Sequence, residues 1–172
     1  MDAARLAALE TAALEVEQHV AADGWDAPPR LFALVPTAEL LAAEPALSVQ
    51  LGDAAPEALT PVEQEDLPAG EGLDALLAGI AWPDEVIGAA LVAERLMLPP
   101  EAEAAMPEDE EDALAWLAAH PERQEVRLAV GVLRDGSRAS VVRLRAHDDD
   151  LDVLVGPDLV PGLADALVGT FA

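Results

Sequence analysis

The stretch that decides the fold is QEVRLAVGVLRDGSRASVVRLRAH, residues 124–147. Its two runs alternate apolar and polar residues and flank an Asp-Gly pair, which is the pattern of a β-hairpin. A two-residue turn at Asp-Gly would place Leu128 opposite Arg143 and mix apolar with charged positions. A three-residue loop that begins at Arg134, with Gly136 at positive φ, brings the apolar sides together. We therefore predict the pairs Val126 with Leu144, Leu128 with Val142, Val130 with Ser140, and Val132 with Arg138.

The same register directs arginines to the opposite face of the hairpin. Arg127, Arg143 and Arg145 project from that side, with Glu125 as their only local acid. Six of the nine arginines lie within residues 123–145 against two acids, so the rest of the chain is strongly acidic. This asymmetry is the most informative charge feature of the sequence.

Length and charge bound the class of protein. A chain of 172 residues suits one compact core, so we predict a single domain over residues 1–172. Its formal charge of -25 comes from 34 acidic and 9 basic residues, and every basic residue is arginine, a bias that resembles high-GC genomes. A surface of this charge repels nucleic acid and anionic membranes, so we expect neither as a partner.

Cysteine usage and the N-terminal segment limit the possible chemistry and the expected compartment of the protein. The sequence has no cysteine, which excludes disulfides, thiol nucleophiles and thiolate metal sites. Residues 1–20 carry charges at regular intervals, unlike a signal peptide or a membrane span. We expect a cytoplasmic protein.

Hydrophobic periodicity predicts helices and strands around the hairpin. The first segment is an amphipathic helix, and we place Glu17 outside its apolar stripe of Leu6, Leu9, Ala13, Val16 and Val20. A nearly continuous apolar run at residues 85–98 predicts a central strand with Glu94 and Arg95 on opposite faces. Glu94 is the acid that we expect to be partly buried, either as a general base or, more simply, in a salt bridge to a sheet arginine.

The remaining elements are shorter. Further strands are predicted at residues 30–37, 46–51 and 152–155. Further helices are predicted at residues 38–44 with Thr37 as N-cap, at 73–80, at 108–120 with acids in the first turn, and at the C-terminus with Asp158 as N-cap and Pro161 in the first turn. Residues 52–72 are rich in Pro, Glu and Gly without periodicity, so we predict a mobile surface loop.

Together these elements predict an α+β fold. It would contain an antiparallel sheet of four to six strands, with helices packed mainly on one face. The order is similar to the α-β-β-β-α-β-β-α order of secretion-chaperone-like domains, which bind other chains and often dimerise. This similarity of order makes a homodimer one candidate assembly.

The run HDDDLD, residues 147–152, raises the question of a metal site. Asp148, Asp150 and Asp152 match the first, third and fifth positions of a calcium loop. However, Val153 occupies the position that needs glycine, and Leu159 occupies the position that needs glutamate. We interpret the run as a polar turn between two strands.

A second metal interpretation starts from one dipeptide. His147-Asp148 resembles the His-Asp pair of metal-dependent phosphohydrolases, which needs further His and Asp ligands nearby. His19 and His120 lie in segments that do not supply that setting. We therefore assign no catalytic residue, no metal and no cofactor, and keep a small metal-dependent hydrolase that uses His147 and the neighbouring aspartates as the alternative function.

The C-terminal half resembles a set of small uncharacterised actinobacterial proteins. The shared pieces are ER.MLPP, HP.R.EVRL.VGVLRDG, LRAHDDD and GPDLVPGLA, and LAGIAWPDEVIG also fits, so the likeness spans roughly residues 76–167. The resemblance implies lineage, a cytoplasmic setting and an unknown function. It transfers no catalytic residue.

The leading functional hypothesis is a non-enzymatic protein-binding or chaperone-like module. A sheet face that carries Arg95, Arg127, Arg143 and Arg145 would contact an acidic protein segment or an anionic ligand. The alternative is that these arginines pair with the protein's own acids.

Overall fold

A computed structural model describes residues 3–47, 57–64, 77, 79–98, 100–157 and 159–171. Its centre is an antiparallel sheet with the strand order β2-β1-β3-β4-β5-β6. The strands are β1 (Arg30–Pro36), β2 (Leu59–Glu63), β3 (Gly88–Met97), β4 (Gln124–Leu133), β5 (Arg138–Leu144) and β6 (Leu154–Gly156). The α+β class and the six-stranded antiparallel sheet confirm the prediction.

Five α-helices accompany the sheet in the described part of the chain. They are α1 (Ala3–Ala21), α2 (Thr37–Ala43), α3 (Pro100–Glu103), α4 (Glu110–Ala119) and α5 (Pro161–Gly169). Pro161 begins α5, as predicted, because proline has no N–H to lose in the first turn. Asp109 caps α4 by accepting hydrogen bonds from the N–H groups of Glu111 and Asp112 at 3.0 and 3.1 Å, so part of the acidic run is a helix start.

The hairpin has the predicted register. Leu128 lies opposite Val142 and Val126 opposite Leu144. The loop is closed by the Ser137 carbonyl, which accepts from the Leu133 N–H at 2.9 Å, and Gly136 adopts a φ of 92°. This is the three-residue loop that the alternation of apolar residues requires.

Helices cover both faces of the sheet, which corrects the expectation that they pack mainly on one face. Helix α1 lies on one face and buries Leu9, Ala13 and Val16 against residues of β1, β3, β4 and β5. Helix α5 lies on the other face and buries Leu163 and Leu167 among residues of β1, β3 and β4. Strands β3 and β4 are buried on both sides, so alternation alone does not reveal which side a helix covers.

Several local predictions have other outcomes. Residues 59–63, within the expected loop, form edge strand β2, while 52–56 and 65–72 lie outside the described residues. Where a strand was expected at 46–51, the structure has a short 3-10 turn at Pro45–Leu47, and residues 48–51 lie outside the described residues. Most of the helix expected at 73–80 also lies outside them. The same holds for Asp158, the expected cap of α5. Thr37 does not cap α2: it is the first residue of the helix, and its hydroxyl forms a hydrogen bond of 2.8 Å with that of Thr60 in β2.

Candidate functional site

The structure separates the four arginines that the sequence analysis placed on one sheet face. Arg127 and Arg143 are 0% and 2% exposed and lie beneath α1. A partner molecule cannot reach a guanidinium that is buried in this way. The binding role expected for these two side chains is therefore corrected to an internal one.

Glu17 is the acid that holds both buried arginines. Its side chain is fully buried, and its two oxygens accept from Nε and Nη2 of Arg143, the latter at 3.0 Å. Arg127 Nη1 lies 3.7 Å from Oε1 of the same carboxylate. We call Glu17, Arg127 and Arg143 the buried ion cluster. Because it joins α1 to β4 and β5, it fixes the helix on the sheet.

A loop after α1 closes over this cluster. Arg127 donates from Nη2 to the Gly24 carbonyl at 2.5 Å, and its guanidinium lies 4.3 Å from the centre of the Trp25 ring. The indole N–H of Trp25 donates to Asp148 at 3.0 Å. The turn needs glycine at position 24, where φ is 88°. Trp25 thus shields the cluster from water while it stabilises the cation through its ring face.

Arg145 and Glu94 hold the next residues of the same loop. Arg145 is exposed and pairs with Asp26 and Glu125 at 3.0 and 2.8 Å. Glu94 accepts from the backbone N–H groups of Asp26 and Ala27 at 2.8 and 2.9 Å. Asp26 has a φ of 66°, a conformation that few residues other than glycine adopt, so these contacts stabilise a strained turn. The simple salt bridge expected for Glu94 is replaced by this backbone role.

The HDDDLD run is a turn, as predicted, and the side chains of Asp148 and Asp149 have structural partners in it. Arg145–His147 and Asp150–Asp152 form two short 3-10 turns between β5 and β6. Asp148 accepts from Arg143 at 3.1 Å as well as from Trp25. Within the described part of the chain, no three His, Asp or Glu side chains converge closely enough to hold a metal ion. The convergence of His147 and Asp148 with a third ligand that a hydrolase would need is not found among these residues.

The contacts of Asp148 predict its titration. The hydrogen bond from Trp25 and the contact with Arg143 hold the pKa of Asp148 below its ordinary value, although partial desolvation opposes them. A carboxyl with a lowered pKa favours the fold above its unfolded pKa of about 3.9, and this contribution is lost as the pH falls through the folded pKa. In Trp25→Phe we expect the carboxyl-carbon NMR midpoint of Asp148 to move up towards the ordinary value. Equal midpoints in wild type and variant would show that the indole N–H does not stabilise the charged form.

Arg95 lies on the opposite face of the sheet. Its register partner is Val126, whereas Glu94 faces Arg127. Because side chains alternate along a strand, Arg95 projects to the side of α5 and away from the buried ion cluster. Among the described residues this exposed arginine forms no ion pair and no hydrogen bond. It is the member of the predicted set that remains available to a partner.

An apolar groove lies beside Arg95, on the part of this face that α5 leaves uncovered. It has a volume of about 430 Å³, and Val126 and Val142 lie at its base. Leu154 and Leu159 line it while remaining 56% and 42% exposed. The apolar groove is lined by Met97, Leu98, Gln124, Val126, Val142, Leu144, Leu154 and Leu159. An opening of this composition binds apolar side chains rather than charged metabolites.

Helix α4 is the second unusual surface. None of its ten residues is buried, and Leu114 is 62% exposed. Trp116 and Leu117 are only half-buried, and Trp116 contacts the ring of His120 with centroids 4.9 Å apart. A helix of this length is marginal in water unless it packs against another surface.

The sequence analysis did not predict two parts of the site, the burial of Glu17 and the apolar groove. Glu17 follows the buried residue Ala13 by four positions, so the two share a helix face, and this was the available signal that Glu17 is buried. The groove could not be inferred because its walls come from β3, β4, β5, β6 and the segment before α5.

Comparisons with known proteins give one result. A family model described as PPA1309-like protein matches residues 9–172, nearly the whole chain, and it represents a family of uncharacterised proteins. Neither the curated proteins nor the solved structures contain a match. None of the helices in the described ranges is long and apolar enough to cross a membrane.

Proposed function

The chain belongs to the PPA1309-like protein family, and we propose that it is a non-enzymatic protein-binding module whose apolar groove receives an amphipathic helix from a partner protein. The observation that carries this proposal is an open groove of apolar side chains with Arg95 at its border, an arginine that forms no ion pair with any described residue. Grooves of this kind bind helices that present apolar residues at spacings of three and four.

Arg95 supports a partner helix with acidic residues on its polar side. It lies directly opposite Val126 and two residues before Met97, both of which line the groove. An acidic group of the partner could pair with this guanidinium while the apolar side chains enter the groove. The pairing would orient the helix, and burial of the apolar side chains would supply most of the affinity.

The setting that we propose is the cytoplasm of an actinobacterium. Helix α1 packs its apolar face on the sheet and so serves as part of the domain core. The absence of lysine and cysteine and the high content of alanine and acidic residues support a high-GC origin and a fold that does not depend on disulfides.

A binding measurement with matched variants tests the proposal. The probe is a pair of labelled synthetic helices that share one apolar face and carry either acidic or neutral polar residues on the other. By fluorescence anisotropy, we expect the acidic helix to bind wild type more tightly, and Arg95→Glu to remove that preference. We expect Leu154→Glu to weaken both helices about tenfold or more, since burial of a leucine contributes ~1.5–3 kcal/mol and 1.4 kcal/mol is about a factor of ten.

Val155 of strand β6 provides the control variant for Leu154→Glu in this binding measurement. Val155 is 50% exposed, close to the 56% of Leu154, but it points to the opposite face of the sheet. Val155→Glu should bind both helices as wild type does. Equal affinity of Leu154→Glu and Val155→Glu would exclude the groove as the binding surface.

A further inference from the structure

We infer that the helix received by the apolar groove is α4 of a second copy of this chain, so that two copies form a homodimer by reciprocal insertion of α4. The inference rests on the proposed function of the groove and names its partner. Each copy would supply one helix and one groove, which gives a closed two-fold assembly.

Helix α4 presents apolar side chains that need an apolar surface. Leu114, Leu117 and Trp116 lie on one continuous arc of the helix, with Leu117 and Ala113 between the other two. No residue of α4 is buried in the described structure of one copy, although ten residues are too few for a stable isolated helix. The arc matches the apolar groove in chemistry, since both consist mainly of apolar side chains.

The charges at the start of α4 and at the border of the groove are complementary. The capping residue Asp109 and the first-turn residues Glu110, Glu111 and Asp112 make the start of α4 strongly acidic. The groove has Arg95 at its border, without an ion pair among the described residues. In a protein of formal charge -25, an arginine that has no ion-pair partner within the described ranges and lies beside an apolar groove favours this kind of acidic helix.

The turn between α4 and β4 has a fixed path, and α4 does not enter the groove of its own copy. Four residues, 120–123, connect α4 to β4, and their path is fixed by hydrogen bonds. The N–H of Glu122 donates to Nδ1 of His120 at 3.0 Å, and Arg123 donates from Nη1 to the His120 carbonyl at 2.8 Å. The residues that line the groove of the same copy include none from α4. A second copy can reach the groove without breaking the turn.

Complementation between two variants tests the exchange. Leu117→Glu spoils the helix and keeps the groove, whereas Leu154→Glu spoils the groove and keeps the helix. By sedimentation velocity of the full chain at about 0.15 M salt, where the Debye length is about 8 Å, we expect wild type to be a dimer. We expect each variant alone to be a monomer, and their mixture to form a heterodimer that retains one intact helix–groove contact. Val155→Glu should dimerise as wild type does.

The outcomes separate the two proposals. A monomeric wild type that still binds the acidic synthetic helix through Leu154 would overturn the exchange and keep the groove as a site for another protein. A dimer that persists in both variants would overturn the exchange and assign self-association to another surface. A mixture that stays monomeric while wild type dimerises would also overturn it, because reciprocal insertion requires complementation. Circular dichroism of each variant confirms that the α+β body remains folded.

Discussion

Glu17→Ala should lower the free energy of unfolding by about 3–5 kcal/mol, the usual cost of removing one partner from a buried ion pair. The reason is that Arg127 and Arg143, at 0% and 2% exposure, would keep their charges in the interior without the buried carboxylate that they share, while the half-exposed Asp148 would still contact Arg143. Arginine does not lose its proton at neutral pH, so the cluster cannot escape by neutralisation. This loss is a large fraction of the 5–15 kcal/mol that stabilises an ordinary domain.

Urea unfolding followed by circular dichroism measures this loss. Glu15→Ala is the matched control, because Glu15 lies on the same helix and is exposed. We expect the control to change stability by about 0.5 kcal/mol or less. Glu17→Gln keeps the shape of the side chain, so a loss of similar size would assign the effect to charge. A loss below about 1 kcal/mol in both Glu17 variants would contradict the burial of the two cations.

Leu9→Ala should cost about 2–5 kcal/mol, because it leaves a cavity between α1 and the sheet. Leu9 is fully buried and lies over Gly131 of β4. A methyl group at position 131 would come within 3.0 Å of Leu9 Cδ1, which is tighter than ordinary packing. The absence of a side chain at Gly131 therefore makes room for Leu9.

This geometry predicts that Leu9→Ala and Gly131→Ala have non-additive effects on the free energy of unfolding. Gly131→Ala should lower the free energy of unfolding of the wild type. In the Leu9→Ala background it should lower that free energy less, or even raise it, because Leu9 Cδ1, which the added methyl group would crowd, is absent. We expect a coupling of about 0.5–3 kcal/mol in a double-mutant cycle measured by urea unfolding. Gly162→Ala is the control, since its added methyl group meets nothing within 4 Å and should be additive with Leu9→Ala. Additive effects of Leu9→Ala and Gly131→Ala would show that the two sites do not pack as described.

Much of the fold follows from local chemistry. The register of the β4–β5 hairpin depends on the alternation of a few side chains and on Gly136, all within one continuous stretch. The acids in the first turn of α4 and Pro161 in the first turn of α5 act on the backbone beside them. Such interactions involve near neighbours in the chain, so a sequence pattern is enough to predict them.

The sequence pattern was not enough to predict the environment of the arginine side chains. Sequence alone determined that Arg127 and Arg143 share a sheet face and that Arg95 and Glu94 point to opposite faces. Only the tertiary structure decided that α1 covers the first pair, and that Glu17, 126 residues away from Arg143, lies between them. A charged side chain in a strand is compatible with water and with a buried partner, and the choice depends on which helix packs there.

The candidate binding surface was decided in the same way. The sequence by itself determined an α+β architecture with an antiparallel sheet of four to six strands, the strongly negative charge and the acidic first turn of α4. Tertiary structure decided that α5 covers only part of its sheet face and leaves the apolar groove beside Arg95. The physical reason is that local propensities act between neighbours, whereas a groove is the space left after distant elements have packed.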